Sequence, residues 1–284
     1  VTTVTDEQAL DRDRERTPAA CDAHPLELLA FCGPHEALEG EPVDGVAIVR
    51  FPRWRKSMKV FIVGIGGGVG RRVGEQLAAA GDEPTGLVRQ QRQVEALASL
   101  GIKTKFGDLV AMSVDELADA VHGADAVVFS AGAGGKDGDD ATTRIDGDGP
   151  GKLAEAAALA GVRRFILVSV FPEAWRERRM DASFEHYMVQ KKRAEIALVQ
   201  TDLDWLIVRP SALLNDPGTG RVDLGLAKVH EQITRDDVAT TVVALLKSSD
   251  LSRLILEVTG GEVPIAEAVA AVREATAPCG SEQA

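Results

Sequence analysis

Aromatic side chains make up only 4% of this 284-residue sequence, and Tyr187 is its one tyrosine. That scarcity argues against a base-stacking surface for nucleic acid. Basic residues are also short: 32 Lys and Arg face 44 Asp and Glu, a net charge of −12 that excludes wholesale binding to nucleic acid or to an anionic membrane. Three cysteines do not make a disulfide framework, so a reducing cytoplasm is the expected location. No apolar run reaches 18 residues, and the first residues are acidic rather than basic; neither a membrane span nor a secretory signal is expected. What the chain does hold is glycine, 28 in all, with abundant Ala, Val and Leu. Such small residues suit helices packed closely on a sheet.

Residues 1–57 differ from the rest. They carry Asp11 to Arg16 in alternating charge, scattered prolines and a basic clump at Arg53, Trp54, Arg55 and Lys56, with little patterning beyond a short helix near Leu26 to Phe31. Met58 stands directly before the first convincing strand. The expectation is therefore a disordered, dispensable extension or a misplaced start over 1–57, and one domain over 58–284. Within the extension, Cys21 with His24 and Cys32 with His35 are zinc-type ligands, but their close spacing and flexible surroundings predict no metal site.

From Met58 onward strand and helix signals alternate. Strands are expected at 58–65, 84–89, 103–106, 125–130 and 164–170, with helices at 69–80, 94–100, 114–121, from about 144 to Ala160, and 184–199. A Gly/Asp-rich loop is expected over 132–143. Short apolar strands separated by helices indicate βαβ units with right-handed crossovers. The fold class is α/β, a doubly wound parallel sheet (Rossmann fold) with a small C-terminal substrate cap.

The first strand runs into Gly64, Ile65, Gly66, Gly67, Gly68, Val69 and Gly70, and a helix follows. Glycines let a backbone turn sharply and approach a pyrophosphate, while the helix N-terminus offers unpaired N–H groups and a positive dipole end. The loop fits GxxGxxG at 64, 67 and 70 and GxxxGxG at 64, 68 and 70, so glycine spacing does not choose a subfamily. At the end of the second strand an NAD site usually has Asp or Glu; here stands Arg89, suited to a 2′-phosphate, which favours NADP over NAD. Arg71 or Arg72 could assist, or each could be a solvated helix residue.

Further on, Tyr187 and Lys191 lie four residues apart in a helical segment and so share a face, and Ser169 closes the fifth strand at the sheet's carboxyl edge. Together they suit hydride chemistry at a carbonyl: Tyr187 as proton donor or acceptor, Lys191 holding the nicotinamide ribose and lowering the phenol's pKa, Ser169 polarising the substrate oxygen.

At this point the sequence resembles a family. Gly64 with Gly67 and Gly70, Leu87 to Arg89, Gly107 to Leu109, Ile145 to Gly147, Gly161 to Ser169, Tyr187 to Lys191 with Ala194 and Glu195, Ile207 to Pro210 and Arg235 to Ala239 recur in that order in atypical short-chain dehydrogenase/reductases. The match is to their NAD(P)H-binding group, similar to biliverdin and flavin reductases and NmrA-like sensors. The resemblance implies that Gly64, Gly67 and Gly70 take the pyrophosphate, Arg89 the 2′-phosphate, and Asp108 with Leu109 the adenine edge. It also implies that Ser130, Ala131 and Gly132 line the cofactor and that Ser169, Tyr187 and Lys191 form the active centre. The sequence departs from the group at Ile65 and Gly66, where Ala and Thr are usual, and at Val170, where a second hydroxyl is usual.

Other residues read more plainly. His186 points about 100° around the helix from Tyr187 and reads as a surface or packing residue, while His122 and His230 read as satisfied structural histidines. Asp236 and Asp237 read as a helix cap, and the acidic stretch Lys136 to Asp140 as a flexible flap rather than a calcium loop. The function expected is an NADP-dependent oxidoreductase acting on a small carbonyl, quinone or flavin-like compound. The alternatives are an NAD(P)-dependent epimerase or dehydratase, against which the short chain after Arg209 weighs, and an NADP(H) sensor without turnover.

Overall fold

The computed structural model describes residues 56–134, 138–171 and 178–277. The four Cys and His candidates at 21, 24, 32 and 35, and Lys136 and Asp137 of the acidic stretch, lie outside the described residues. Elements run β1 (Lys59–Val63), α1 (Gly68–Ala79), β2 (Glu83–Val88), α2 (Gln91–Ala98), β3 (Lys103–Phe106), α3 (Val114–Val121) and β4 (Ala126–Phe129). Next come α4 (Gly138–Thr142), a π-helical turn (Thr143–Asp148), α5 (Gly149–Leu159), β5 (Arg164–Val168), α6 (Ala182–Val199), β6 (Asp204–Pro210) and β7 (Ala212–Leu214). The last described elements are β8 (Arg221–Gly225), β9 (Gln232–Thr234), α7 (Arg235–Leu246), β10 (Leu254–Gly260), β11 (Val263–Pro264) and α8 (Ile265–Thr276).

The main sheet has the order β11-β8-β10-β6-β5-β4-β1-β2-β3. From β3 to β10 all neighbours are parallel; β8 and β11 then close the far edge antiparallel. Side chains alternate across the strands, so β1 sends Val60 and Ile62 to one face and Phe61 and Val63 to the other. The first face packs under α1, α7 and α8 through Val73, Leu77, Val242 and Val269. The second packs under α3, α5 and α6 through Leu117, Leu153 and Leu198. Both faces are apolar because helices cover both, which is what a parallel sheet requires.

Strand order reverses between β1 and β4, and their carboxyl ends open a crevice there. After Arg209, β8, β10 and β11 extend the main sheet. Among the described residues, only the parallel pair β7 and β9 forms a separate ribbon. The expected 132–143 loop is also partly helical: α4 begins at Gly138 and runs through the π turn into α5. Gly147 makes that wider turn compatible with α6, because a Cβ there would meet Gln190 Oε1 at 2.4 Å.

Candidate functional site

A cavity of about 920 Å³ lies over the carboxyl ends of β1, β2, β4 and β5. It is lined by Gly64, Gly66, Gly67, Gly68, Val69, Arg89, Asp108, Leu109, Ser130, Ala131 and Gly132 along one stretch, and by Ser169, Tyr187 and Lys191 further along. Of the site residues expected from the sequence, Gly70 alone is missing from this lining.

The glycines divide by what a side chain would meet. Gly64 has φ +94°, and a Cβ there would sit 2.4 Å from the Ala131 backbone nitrogen; only glycine fits both the turn and the neighbouring strand. At Gly70 a Cβ would meet the Gly64 carbonyl oxygen and Ser130 Oγ, each at 2.4 Å. Gly70 is thus required by packing, which seats α1 on the loop. Gly66 and Gly68 instead face the flexible side chains of Gln93 and Arg235. Gly67 turns the chain through a hydrogen bond from its N–H to the Gly64 carbonyl, 2.9 Å. The first turn of α1 carries no acidic residue, so its positive end is open to an anion. This cradle, whose residues Gly66 to Gly68 carry no side chains of their own, fits a dinucleotide pyrophosphate.

Of the cations near the loop, Arg72 is held by Asp236 at 2.6 Å and by the Gly68 carbonyl, and Arg71 by Glu75 at 2.8 Å. Neither lines the cavity, so the assisting role considered for them has no support in the geometry. Arg89 does line it, exposed at the end of β2 with Asp108 Oδ2 at 3.7 Å. Asp108 also accepts from Val110 N–H at 2.8 Å, which shapes the turn after β3.

Helix α6 supplies the other end of the cavity. Asp181 caps it by accepting from Phe184 N–H at 2.8 Å, and Tyr187, Lys191 and Glu195 follow on one face at intervals of four. Lys191 is 3% exposed; its ammonium donates to the Val168 carbonyl at 3.1 Å and stands 3.9 Å from Asp146 Oδ1. Asp146, 1% exposed, is delivered by the π turn and accepts from Ala133 N–H at 2.9 Å. Burial lowers the Lys191 ammonium and raises the Asp146 carboxyl, and each charge partly offsets the other's shift.

Burial, and then the charge of Asp146, push the Tyr187 phenol well above its ordinary value. The expected depression by Lys191 is therefore corrected: the lysine is turned toward Asp146 and Val168, and the phenol stays protonated. A phenol of this kind is held in its protonated, hydrogen-bond-donating form and is a weaker acid than a free one.

Ser169 also departs from expectation. Its hydroxyl donates to Glu195 Oε1 at 2.6 Å, and Glu195 is gripped by Arg209 through two bonds of 3.0 and 2.7 Å. The serine's single proton is given to that buried carboxylate, so it does not polarise a substrate oxygen while this bond stands. The three histidines differ in place. His186 Nε2 lies 2.8 Å from Thr143 Oγ1 and packs α6 on the π turn; His122 is exposed at the end of α3; His230 packs edge-on against Phe171. At α7 the expected aspartate cap is Thr234 instead, whose hydroxyl accepts from Asp237 N–H at 3.0 Å. Asp236 holds Arg72, and Asp237 holds Thr219 and Gly220 through their N–H groups.

Asp146, Glu195 and Arg235 stand within recurring motifs of the sequence, but no spacing there assigns them a role. Asp146 depends on a π turn that no periodicity announces. The Glu195 contact with Arg209 and Ser169 joins residues far apart in the chain, and Arg235 lies beside Gly68 only after α7 folds back on α1. Among the described residues no group of three or more metal-type ligands gathers, and no helix is long and apolar enough to cross a membrane.

Comparison with known proteins adds a second line. A family profile described as NAD(P)H-binding matches residues 64–249. The uncharacterized sugar epimerase YhfK of Bacillus subtilis (strain 168) is 37% identical over 216 residues, covering 75% of this chain and 99% of that protein. Among solved structures, a candidate NAD-dependent epimerase/dehydratase from Bacillus halodurans is similar at a TM-score of 0.70 and 33% identity, over 76% of this chain and 100% of the other. The oxidoreductase ylbE from Lactococcus lactis is similar at 0.68 and 30% identity, over 76% and 97%.

Proposed function

Because the chain belongs to the NAD(P)H-binding family, we propose that it is an NADP-dependent oxidoreductase that reduces a small carbonyl, quinone or flavin-like compound. The observation that carries this reading is Tyr187, a phenol kept protonated by burial and by Asp146, lining the same cavity as the glycine loop. Reduction of a carbonyl leaves an alkoxide that needs a proton, and a neutral phenol is the group to give it.

In this reading the Gly64 to Gly68 turn and the α1 N-terminus hold the pyrophosphate, Asp108 and Leu109 border the adenine, and Ser130 to Gly132 line the cofactor's path. Arg89 forks to the 2′-phosphate. When bound, NADPH supplies the hydride. Lys191 holds the nicotinamide ribose, with Asp146 and the Val168 carbonyl fixing its ammonium. Tyr187 donates the proton to the substrate oxygen. Ser169, Glu195 and Arg209 tie the end of β5 and β6 to α6 rather than supplying a proton.

A second reading is an NAD(P)-dependent epimerase or dehydratase, supported by the names of the Bacillus relatives. A screen of NADPH oxidation against carbonyls, quinones and flavins separates the two. Net consumption of NADPH with an acceptor is expected for the reductase; conversion of a sugar substrate without net consumption would replace it by the second reading.

A further inference from the structure

Three cations line the cavity among the described residues: Arg89, Lys191 and Arg235. The first two have carboxylates nearby, Asp108 at 3.7 Å and Asp146 at 3.9 Å. Arg235 has none within ion-pair distance among the described residues. It is the first residue of α7, capped by Thr234, and its aliphatic stem lies over the start of α1: a Cβ on Gly68 would meet Arg235 Cδ at 2.6 Å and Nε at 2.8 Å. Its two hydrogen bonds among the described residues both leave from Nη1, to Asn215 Oδ1 at 2.8 Å and to the Leu213 carbonyl at 3.3 Å.

These bonds aim the guanidinium and leave Nε and Nη2 free of an acceptor among the described residues. An arginine has five N–H donors in a fixed fork, so donors remain on the side facing Gly68. The placement favours an anion. A cation with no carboxylate sits beside the positive end of α1, whose first turn has no acid to balance it. The packing also makes it deliberate: α1 and α7 are pinned by Arg72 with Asp236 at 2.6 Å and by Gln76 with Thr240 at 3.1 Å, so their N-termini stand at one corner.

We propose that Arg235 is a ligand of the dinucleotide pyrophosphate, reaching the glycine loop from the last third of the chain and completing a phosphate site that the loop and α1 only begin. The inference rests on the dinucleotide reading above. It adds a residue remote in sequence from the glycine motif, and it assigns the two anionic parts of NADP to different arginines: Arg89 to the 2′-phosphate, Arg235 to the pyrophosphate.

The test titrates the full chain by calorimetry with NADP⁺ and with adenosine 2′-monophosphate, which keeps the adenine, ribose and 2′-phosphate but has no pyrophosphate. Arg235→Ala is expected to weaken NADP⁺ by about 10- to 100-fold, the scale of a lost charge-assisted fork, and to leave adenosine 2′-monophosphate within about twofold. Arg235→Lys, which keeps the charge and loses the fork, is expected to fall between Ala and wild type; this variant also answers for any loss of fold in Arg235→Ala. Unchanged NADP⁺ affinity in Arg235→Ala would overturn the assignment and leave the proposed function standing. Equal loss of both ligands would overturn it as well, by showing a general distortion. A wild-type chain that binds neither NADP⁺ nor NAD⁺ would overturn the dinucleotide reading and this inference with it.

Discussion

In the proposed reaction Tyr187 is the proton donor. Its phenol is raised by burial first and by Asp146 second, and Lys191 does not reverse this. The shift has a consequence for stability. Above pH of about 10, where an unfolded tyrosine ionises, the folded chain still holds its proton and the unfolded chain has lost it. The folded state then binds more protons, so stability falls as pH rises through that range. Tyr187→Phe removes this contribution, and its melting temperature should decline less steeply than the wild type's between pH 9 and 11; parallel declines would contradict the burial argument. Arg89 gives a second residue-scale test. Arg89→Ala is expected to weaken NADPH about tenfold or more while leaving NADH within about twofold, measured by fluorescence titration. Equal losses would show that Arg89 does not read the 2′-phosphate.

At the scale of elements, the loop from β1 to α1 separates packing from binding. Gly70→Ala places a methyl 2.4 Å from a backbone oxygen and from Ser130 Oγ. Overpacking of that kind costs about 1–3 kcal/mol and should lower the melting temperature by several degrees. Gly66→Ala meets only the end of the Gln93 side chain, which can swing away. It should melt near the wild type yet bind NADPH about tenfold or more weakly, because the methyl occupies the cradle. The reverse pattern would contradict the division.

The same scale shows what was legible in the sequence. β1 to β5 and α1 to α3 stand within a few residues of where apolar runs and helical periodicity put them, since each buries one face on one core. The glycine loop, Arg89, Ser169, Tyr187 and Lys191 were identified and do line one cavity. What stayed hidden depends on contacts across the chain. The π turn that delivers Asp146 has no periodic signature, and Gly147 reads as an ordinary helix glycine until α6 packs on it. Ser169 reads as a hydroxyl facing substrate until Glu195, held by Arg209, takes its proton.

At the scale of the whole molecule, the two apolar layers on either side of the sheet are built from residues 58–272. A chain beginning at Met58 is therefore expected to fold and to bind NADPH with a dissociation constant within about twofold of the full chain, measured by the same titration. Loss of binding would assign residues 1–57 a part in the site. The charge of the molecule takes on a sharper form as well. A chain with net charge −12 nevertheless sets Arg89, Lys191 and Arg235 along one cavity, and that is where it would hold a polyanionic dinucleotide.

The central claim is that this cavity binds NADP(H) and that Tyr187 delivers the proton. The most direct measurement follows NADPH binding and NADPH oxidation in wild type and Tyr187→Phe with an accepted carbonyl or quinone. The account predicts similar NADPH affinity in both proteins and a kcat about 10²- to 10⁴-fold lower in the variant. NADPH binding with no turnover on any acceptor, or full turnover by Tyr187→Phe, would contradict it.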